Sequence, residues 1–245
     1  MIQQTFEKPG LITLDALDVR LVAGRVNVVG TDSPARVDMT AIGRRPVVVE
    51  CVDGRLSIRH ERPEGMSSLM WWLGGFGRAF RVDVSVAVPN ATRAFLRVVS
   101  GSVVASGLRN GVEVEVTSGR VSLLGLGGEV RVKTVSGSIT CDLDNFRDSD
   151  IRLQTTSGEI TARVRDDSDL DARLHAVSGR ITSGFPQLPS ADGAGTHSVS
   201  GRLGKGTGRL NVNAISGNIS LLARPVEDDE GVPEEASVED EGGVA

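Results

Sequence analysis

Serine hydroxyls are the first candidates for chemistry, because Ser100, Ser118, Ser136, Ser157, Ser178, Ser200 and Ser216 each precede a glycine. A hydrolase needs one serine activated by one adjacent base, not a series of equivalent ones, and no Gly-x-Ser-x-Gly elbow occurs. The three histidines, His60, His175 and His197, stand in unrelated contexts and are expected at surface or edge positions. Carboxylates cluster at Asp142, Asp144, Asp148 and Asp150, and again at Asp166, Asp167, Asp169 and Asp171. Paired carboxylates can cleave glycosidic bonds, and acidic clusters can hold calcium. Both clusters fall where the serine spacing lengthens to 21, which marks them as solvated loops, and the calcium-binding Gly-Gly-x-Gly-x-Asp repeat is missing. Cys51 and Cys141 offer no metal spacing and read as buried free thiols. No catalytic, cofactor or metal residue is assigned, and the expectation is a protein that is not an enzyme.

The elements that carry these residues follow from the repeat itself. Successive serines of the Ser-Gly pairs lie 18, 18, 21, 21, 22 and 16 residues apart, a period that belongs to repeat architectures. Three places after each serine stands Val103, Val121, Ile139, Ile160, Ile181, Leu203 or Ile219, with a polar residue in the slot before it. Ahead of the serines the pattern alternates, as in Leu96 and Val98, Val114 and Val116, or Val212 and Ala214, which is the signal of a strand with one buried face. Ahead of Ser200 the same positions hold Thr196 and Ser198, a weaker copy. The aliphatic position after each glycine breaks the period of two, so the chain must bend at Ser-Gly. Gly101, Gly119, Gly137, Gly158, Gly179, Gly201 and Gly217 are therefore structural corner residues. A unit of strand, corner and strand buries nothing alone, whereas stacked copies, with successive rungs expected to pair in parallel, form a continuous interior. The reading is all-β: a single β-solenoid, or β-helix-like stack, of rungs of 16 to 22 residues, with the serines in one column and the aliphatics in another.

Ala23-Gly24 and Asp53-Gly54 read as degenerate first copies, and their long intervals of 30 and 47 residues imply hairpins or insertions in an atypical N-terminal part. Runs at Arg36 to Ala41, Pro46 to Cys51 and Arg81 to Pro89 supply extra strands there. Ser106-Gly107 and Ser183-Gly184 are out of phase and read as ordinary turns. The domain is expected to span residues 1–224, followed by a disordered acidic tail over 225–245 with nine acids and no Lys or Arg. The remaining 27 bases against 23 acids leave a net charge of +4 on the body. Arg25, Arg55, Arg120, Arg180 and Arg202 recur in the polar slot, but Ser102, Ser138, Glu159 and Asn218 share it, so no nucleic acid is expected as a partner. The start of the chain has neither a basic region nor an apolar run, and no stretch reaches the eighteen or so apolar residues that span a bilayer. A cytoplasmic location is the expectation.

The aromatic residues are concentrated: four of eight, Trp71, Trp72, Phe76 and Phe80, lie within ten positions. With Leu69 and Met70 they form a candidate interaction loop, for which a cap over the stack, a protein contact or self-association, and an interfacial membrane contact are the three roles weighed.

The motifs Val116-Thr117-Ser118-Gly119-Arg120-Val121 and Thr134-Val135-Ser136-Gly137-Ser138-Ile139, with Gly24-Arg25-Val26-Asn27-Val28-Val29-Gly30 and Asp53-Gly54-Arg55-Leu56, resemble the bacterial β-strand-repeat family of unknown function known as putative adhesins or toastrack domains. The resemblance covers roughly residues 10 to 223. It implies a β-solenoid with a non-enzymatic role, and some relatives are associated with envelope-stress membrane proteins of the phage-shock type. The leading expectation is a non-catalytic interaction or scaffold module that binds a protein partner or itself. A membrane-peripheral stress component and a carbohydrate-active β-helix enzyme are the alternatives.

Overall fold

The computed structural model describes residues 2–5, 14–41, 46–60, 80–143, 149–193 and 195–225. Sixteen strands follow one another: β1 (Ile2–Thr5), β2 (Ala16–Thr31), β3 (Arg36–Ala41), β4 (Val47–Val52), β5 (Arg55–His60), β6 (Arg81–Pro89), β7 (Arg93–Ser106), β8 (Val112–Leu124), β9 (Glu129–Leu143), β10 (Asp150–Ser157), β11 (Ile160–Arg165), β12 (Leu170–Ser178), β13 (Ile181–Ser183), β14 (His197–Leu203), β15 (Gly208–Ser216) and β16 (Ile219–Arg224). No α-helix occurs among the described residues, and no helix there is long and apolar enough to cross a membrane.

The corner expected at Ser-Gly is present. In β7 the side chains of Ala94, Leu96 and Val98 are buried, Ser100 is exposed, and Val103 and Ala105 are buried again, so the inward parity switches across Gly101. Strands β2, β7, β8 and β9, 13 to 16 residues long, bend there and belong to two sheet surfaces at once. In the later rungs the bend interrupts the strand, giving the pairs β10/β11, β12/β13 and β15/β16. Main-chain hydrogen bonds keep the corner zipped even so, as in Gly158 N to Ser216 O at 3.1 Å and Gly217 N to Ser178 O at 2.9 Å. A third side of turns closes the interior, with Leu108 and Leu126 buried and Gly127 N donating to Leu108 O at 2.8 Å.

Registers place Ala23, Ser100, Ser118, Ser136, Ser157, Ser216 and Ser178 in one column, with Gly24, Gly101, Gly119, Gly137, Gly158, Gly217 and Gly179 beside them. The aliphatic column beyond the corner is fully buried, and each of its side chains contributes about 1.5–3 kcal/mol by leaving water. A Cβ built on any of these glycines would overlap the carbonyl oxygen of the neighbouring rung. Gly24 also sits at φ 129°, a conformation closed to other residues.

Three expectations are corrected. The rungs do not stack in chain order, because β15/β16 inserts between β10/β11 and β12/β13, pairing in parallel with both. Nothing in parallel pairing demands that neighbours in space be neighbours in sequence, provided the connection crosses over. Ser200-Gly201 is not a rung: β14 runs antiparallel to β12, with Ser200 opposite Arg173. Val199 and Leu203 are its buried positions, the unbroken period of two of a straight strand, so Gly201 turns no corner. Asp53-Gly54 is the turn of the β4–β5 hairpin, with both residues at positive φ. Leu56 accordingly packs in register with Leu17 and not in the column after the corner. The extra N-terminal strands are present, and Val82, Val84, Val86 and Val88 are all buried.

Both ends of the stack are finished by antiparallel strands: β3 on β6 and β4 on β5 at one end, β14 on β12 at the other, where Phe185 and Leu188 are buried. Gly137→Val should destabilise the protein by several kcal/mol through the clash with Gly119, and Ile139→Asp by a similar amount by burying an unpaired charge. Ser136→Ala should change it little. Chemical denaturation of the three variants checks the order, and a mild Gly137→Val would disprove the steric corner.

Candidate functional site

From β7 to β12 the residue immediately before each corner serine points outward, because it follows the last inward position of its strand and the corner serine after it faces out as well. In stack order the column reads Val22, which is buried at 4% exposure, then Val99, Thr117, Val135, Thr156, Ile215 and Val177. All seven are β-branched, and three present large apolar surface to solvent: Val135 is 52% exposed, Ile215 55% and Val177 43%. Two residues further from the corner runs a second outward column, Arg59, Arg20, Arg97, Glu115, Lys133, Gln154, Asn213 and His175. The bend at Ser-Gly folds the first column toward the second and leaves a continuous groove of about 970 Å³ between them. Seven rungs at roughly 4.8 Å make it about 29 Å long.

The groove is polarised along its length. Its cationic side chains, Arg59, Arg20, Arg97 and Lys133, lie toward β5, whereas Gln154, Asn213 and His175 face the exposed aliphatics at the far end. Arg20 pairs with Asp18 at 2.7 Å, Arg59 with Glu50 at 2.8 Å and Arg97 with Glu115 at 2.9 Å, while Lys133 has no carboxylate partner among the described residues. The Arg59 and Arg97 pairs are exposed and worth about 0–1 kcal/mol, whereas Arg20 grips the largely buried Asp18 through two hydrogen bonds. Beneath the groove Thr134 Oγ1 donates to Thr155 Oγ1 at 2.9 Å, which satisfies two buried hydroxyls.

One end of the groove is built differently. Strand β5 pairs with the first half of β2 and β6 with the second, so this rung has a 61–79 connection where the others have Ser-Gly or, in β2, Ala23-Gly24. His60 and Phe80 flank that point. Contrary to the expectation of a surface histidine, His60 is 7% exposed, because its rung position is that of the inward Leu21 and Val98. Its Nδ1 accepts from Val22 N at 3.4 Å, and the Phe80 ring meets it edge-on at 5.7 Å. Nε2 is buried without a partner among the described residues. Burial holds the pKa of His60 below 6.5, with the Phe80 backbone pulling the other way.

Of the aromatic loop, only Phe80 is described, and it is a buried packing residue. Leu69, Met70, Trp71, Trp72 and Phe76 lie outside the described residues, as do Asp144, Asp148 and residues 226–245. Of the other carboxylates of the two clusters, Asp142 pairs with Arg224 at 3.1 Å, Asp150 with Arg152 at 2.6 Å, Asp167 with Arg165 at 2.8 Å and Asp171 with Arg173 at 3.5 Å, while Asp166 is exposed. Asp169 accepts from Lys205 N at 2.6 Å and turns a loop. Glu129 and Asp150 do occupy adjacent rungs, but away from the groove and each with arginine partners. The groove holds one carboxylate, Glu115, among the described residues, so the two-carboxylate geometry of a glycosidase is not built there. Arg25, Arg120 and Arg180 share the slot column, whereas Arg55 and Arg202 fall elsewhere. Both cysteines are free, Cys51 half-buried and Cys141 fully buried, where burial keeps the Cys141 thiol protonated.

The outward β-branched column is what sequence reasoning missed. Its signal was legible: the Val, Thr or Ile before each corner serine follows the last inward position of its strand, at a place where a solvated face calls for charge.

Fold and groove together define a β-solenoid with a long, partly apolar cleft. The chain matches Toastrack DUF4097 over residues 81–222, more than half its length, and belongs to that family. A solved structure described as a putative cell adhesion protein from Clostridium sporogenes is 13% identical, with a TM-score of 0.53 over 91% of this chain and 98% of that one. A second, described as a putative adhesin from Bacteroides fragilis, is 12% identical, with a TM-score of 0.44 over 90% of this chain and 96% of that one. The first likeness establishes a shared fold. No curated protein matches the chain.

Because folded His60 resists the proton that the unfolded chain accepts, its contribution to stability is complete above pH 6.5 and is lost as the pH falls below that value through the lowered pKa of the folded state. His60→Gln should flatten this part of the stability–pH curve between pH 8 and pH 5, measured by denaturant unfolding. An unchanged slope would show that His60 is not held neutral.

Proposed function

We propose that the protein is a non-catalytic interaction module that binds an extended segment of a protein partner along the corner groove. The observation that carries this reading is the exposed aliphatic stripe of Val135, Ile215 and Val177 within a continuous groove. Contiguous apolar surface in a concave, polar-rimmed setting is the usual mark of a binding surface, whereas scattered exposed aliphatics are not. The backbone of the stack is committed to its ladders, so affinity must come from side-chain burial, with specificity from Gln154, Asn213, His175 and the cationic end. The adhesin-like fold agrees with a binding role. The membrane reading depends on Trp71 and Trp72, outside the described residues, and the carbohydrate-enzyme reading lacks its carboxylate pair in the groove.

The test is selection from a displayed library of random peptides with the full-length protein as bait. Wild type should enrich sequences with spaced aliphatic residues, and Val135→Asp combined with Ile215→Asp should lower the affinity of a selected peptide by at least about tenfold. Both side chains are exposed, so melting should stay within a few degrees of wild type. Equal binding by a folded double variant would refute the groove as the site. Sedimentation of the wild type separates self-association from partner binding.

A further inference from the structure

The C-terminal segment has a composition that answers the groove feature by feature. Residues 225–245 carry nine acids and no base, and their valines recur every six positions, at Val226, Val232, Val238 and Val244. Six extended residues span about 20 Å, close to four rungs at roughly 4.8 Å. The groove pairs an aliphatic column with a cationic wall in which Lys133 has no carboxylate partner among the described residues and two arginines, Arg59 and Arg97, hold exposed, weak ones.

Reach fits as well. Strand β16 ends at Arg224, eight residues past the corner serine of its rung, Ser216. The nine residues 225–233 are long enough to lead back over the eight positions from Arg224 to Ser216, past Leu222, which is exposed. The twelve that remain, 234–245, extend to about 40 Å, enough for a groove of about 29 Å.

We propose that residues 234–245 lie along the corner groove of their own chain as a pseudo-ligand that a partner must displace. Val238 over Ile215 brings Glu241, three extended residues on, to the rung of Lys133, and Val244 to the rung of Val99 and Arg97. Val238 and Val244 share one face of an extended chain and meet the stripe, while Glu239 and Glu241 share the other and reach the wall. This regulatory reading rests on the groove being the partner site argued above. It makes the acidic tail a competitor: docked in about nine molecules of ten, it lowers the apparent affinity for a partner about tenfold.

The test attaches a nitroxide to full-length protein carrying Ala245→Cys and Cys51→Ser and reads amide line broadening by NMR. Broadening should centre on Arg97, Val99 and Thr117, survive tenfold dilution, and vanish when Lys133→Glu and Val135→Asp are added. Broadening confined to the end of β16, spread evenly over the surface, or lost on dilution overturns docking in cis, the last by assigning it to a second copy. A chain ending at Pro225 should bind a library-selected peptide about tenfold more tightly than the full chain. Equal affinities overturn the competition. The two readings fail separately: a free tail with peptide binding that still depends on Val135 and Ile215 sinks only this inference, whereas a docked tail on a groove that takes no peptide sinks the partner reading.

Discussion

Close approach of backbone to backbone at the corner governs this protein. Seven glycines, from Gly24 to Gly179 in stack order, lie where the next rung's carbonyl oxygen occupies the space a Cβ would need. That contact lets two sheet surfaces meet at an edge sharp enough to bury Val103, Val121, Ile139, Ile160, Ile219 and Ile181 just beyond it. The glycines do not stabilise by packing. They remove an obstacle, and the hydrogen-bonded ladder and the aliphatic column supply the favourable free energy.

From this corner the groove follows without further design. A strand that bends with its inward side chains on the core must splay the outward ones on one side of the bend and gather them on the other. The residue before each serine and the residue two earlier are gathered, and repetition turns the local concavity into a cleft that runs the length of the stack. Because the cleft is made of columns, each position along it can vary independently. One end has acquired Arg59, Arg20 and Arg97, the other exposed Ile215 and Val177 beside neutral polar groups.

Charge elsewhere is spent on local pairing. Asp18 with Arg20, Asp150 with Arg152 and Asp167 with Arg165 lie two residues apart on one strand face or turn, and Glu115 with Arg97 bridges neighbouring rungs. Apart from that of the largely buried Asp18, these contacts are exposed and individually weak. They keep flat sheet surfaces solvated and discourage edge-to-edge association, a task the antiparallel end strands share. Acidic clusters that looked like chemistry along the chain are thus scattered over separate solvation duties.

The sequence by itself determined the corner, the parity switch, the aliphatic column and hence an all-β stack, because these depend on one unit and its repetition. Val212, Ala214, Ser216, Gly217 and Ile219 state the rung as plainly as any other copy does. It could not determine which copies would be neighbours, since all of them present the same parallel edges and only the length and path of the connections choose among them; hence β15/β16 inside the stack and β14 turned antiparallel. Nor did local pattern distinguish the hairpin at Asp53-Gly54 from a rung corner, where the same dipeptide chemistry serves both. His60 is inward only because β5 is in register with β2, a long-range pairing with no trace in its neighbours. The groove needed the tertiary structure for the same reason: outward residues 18 to 77 positions apart in the chain form one surface only after the register is fixed.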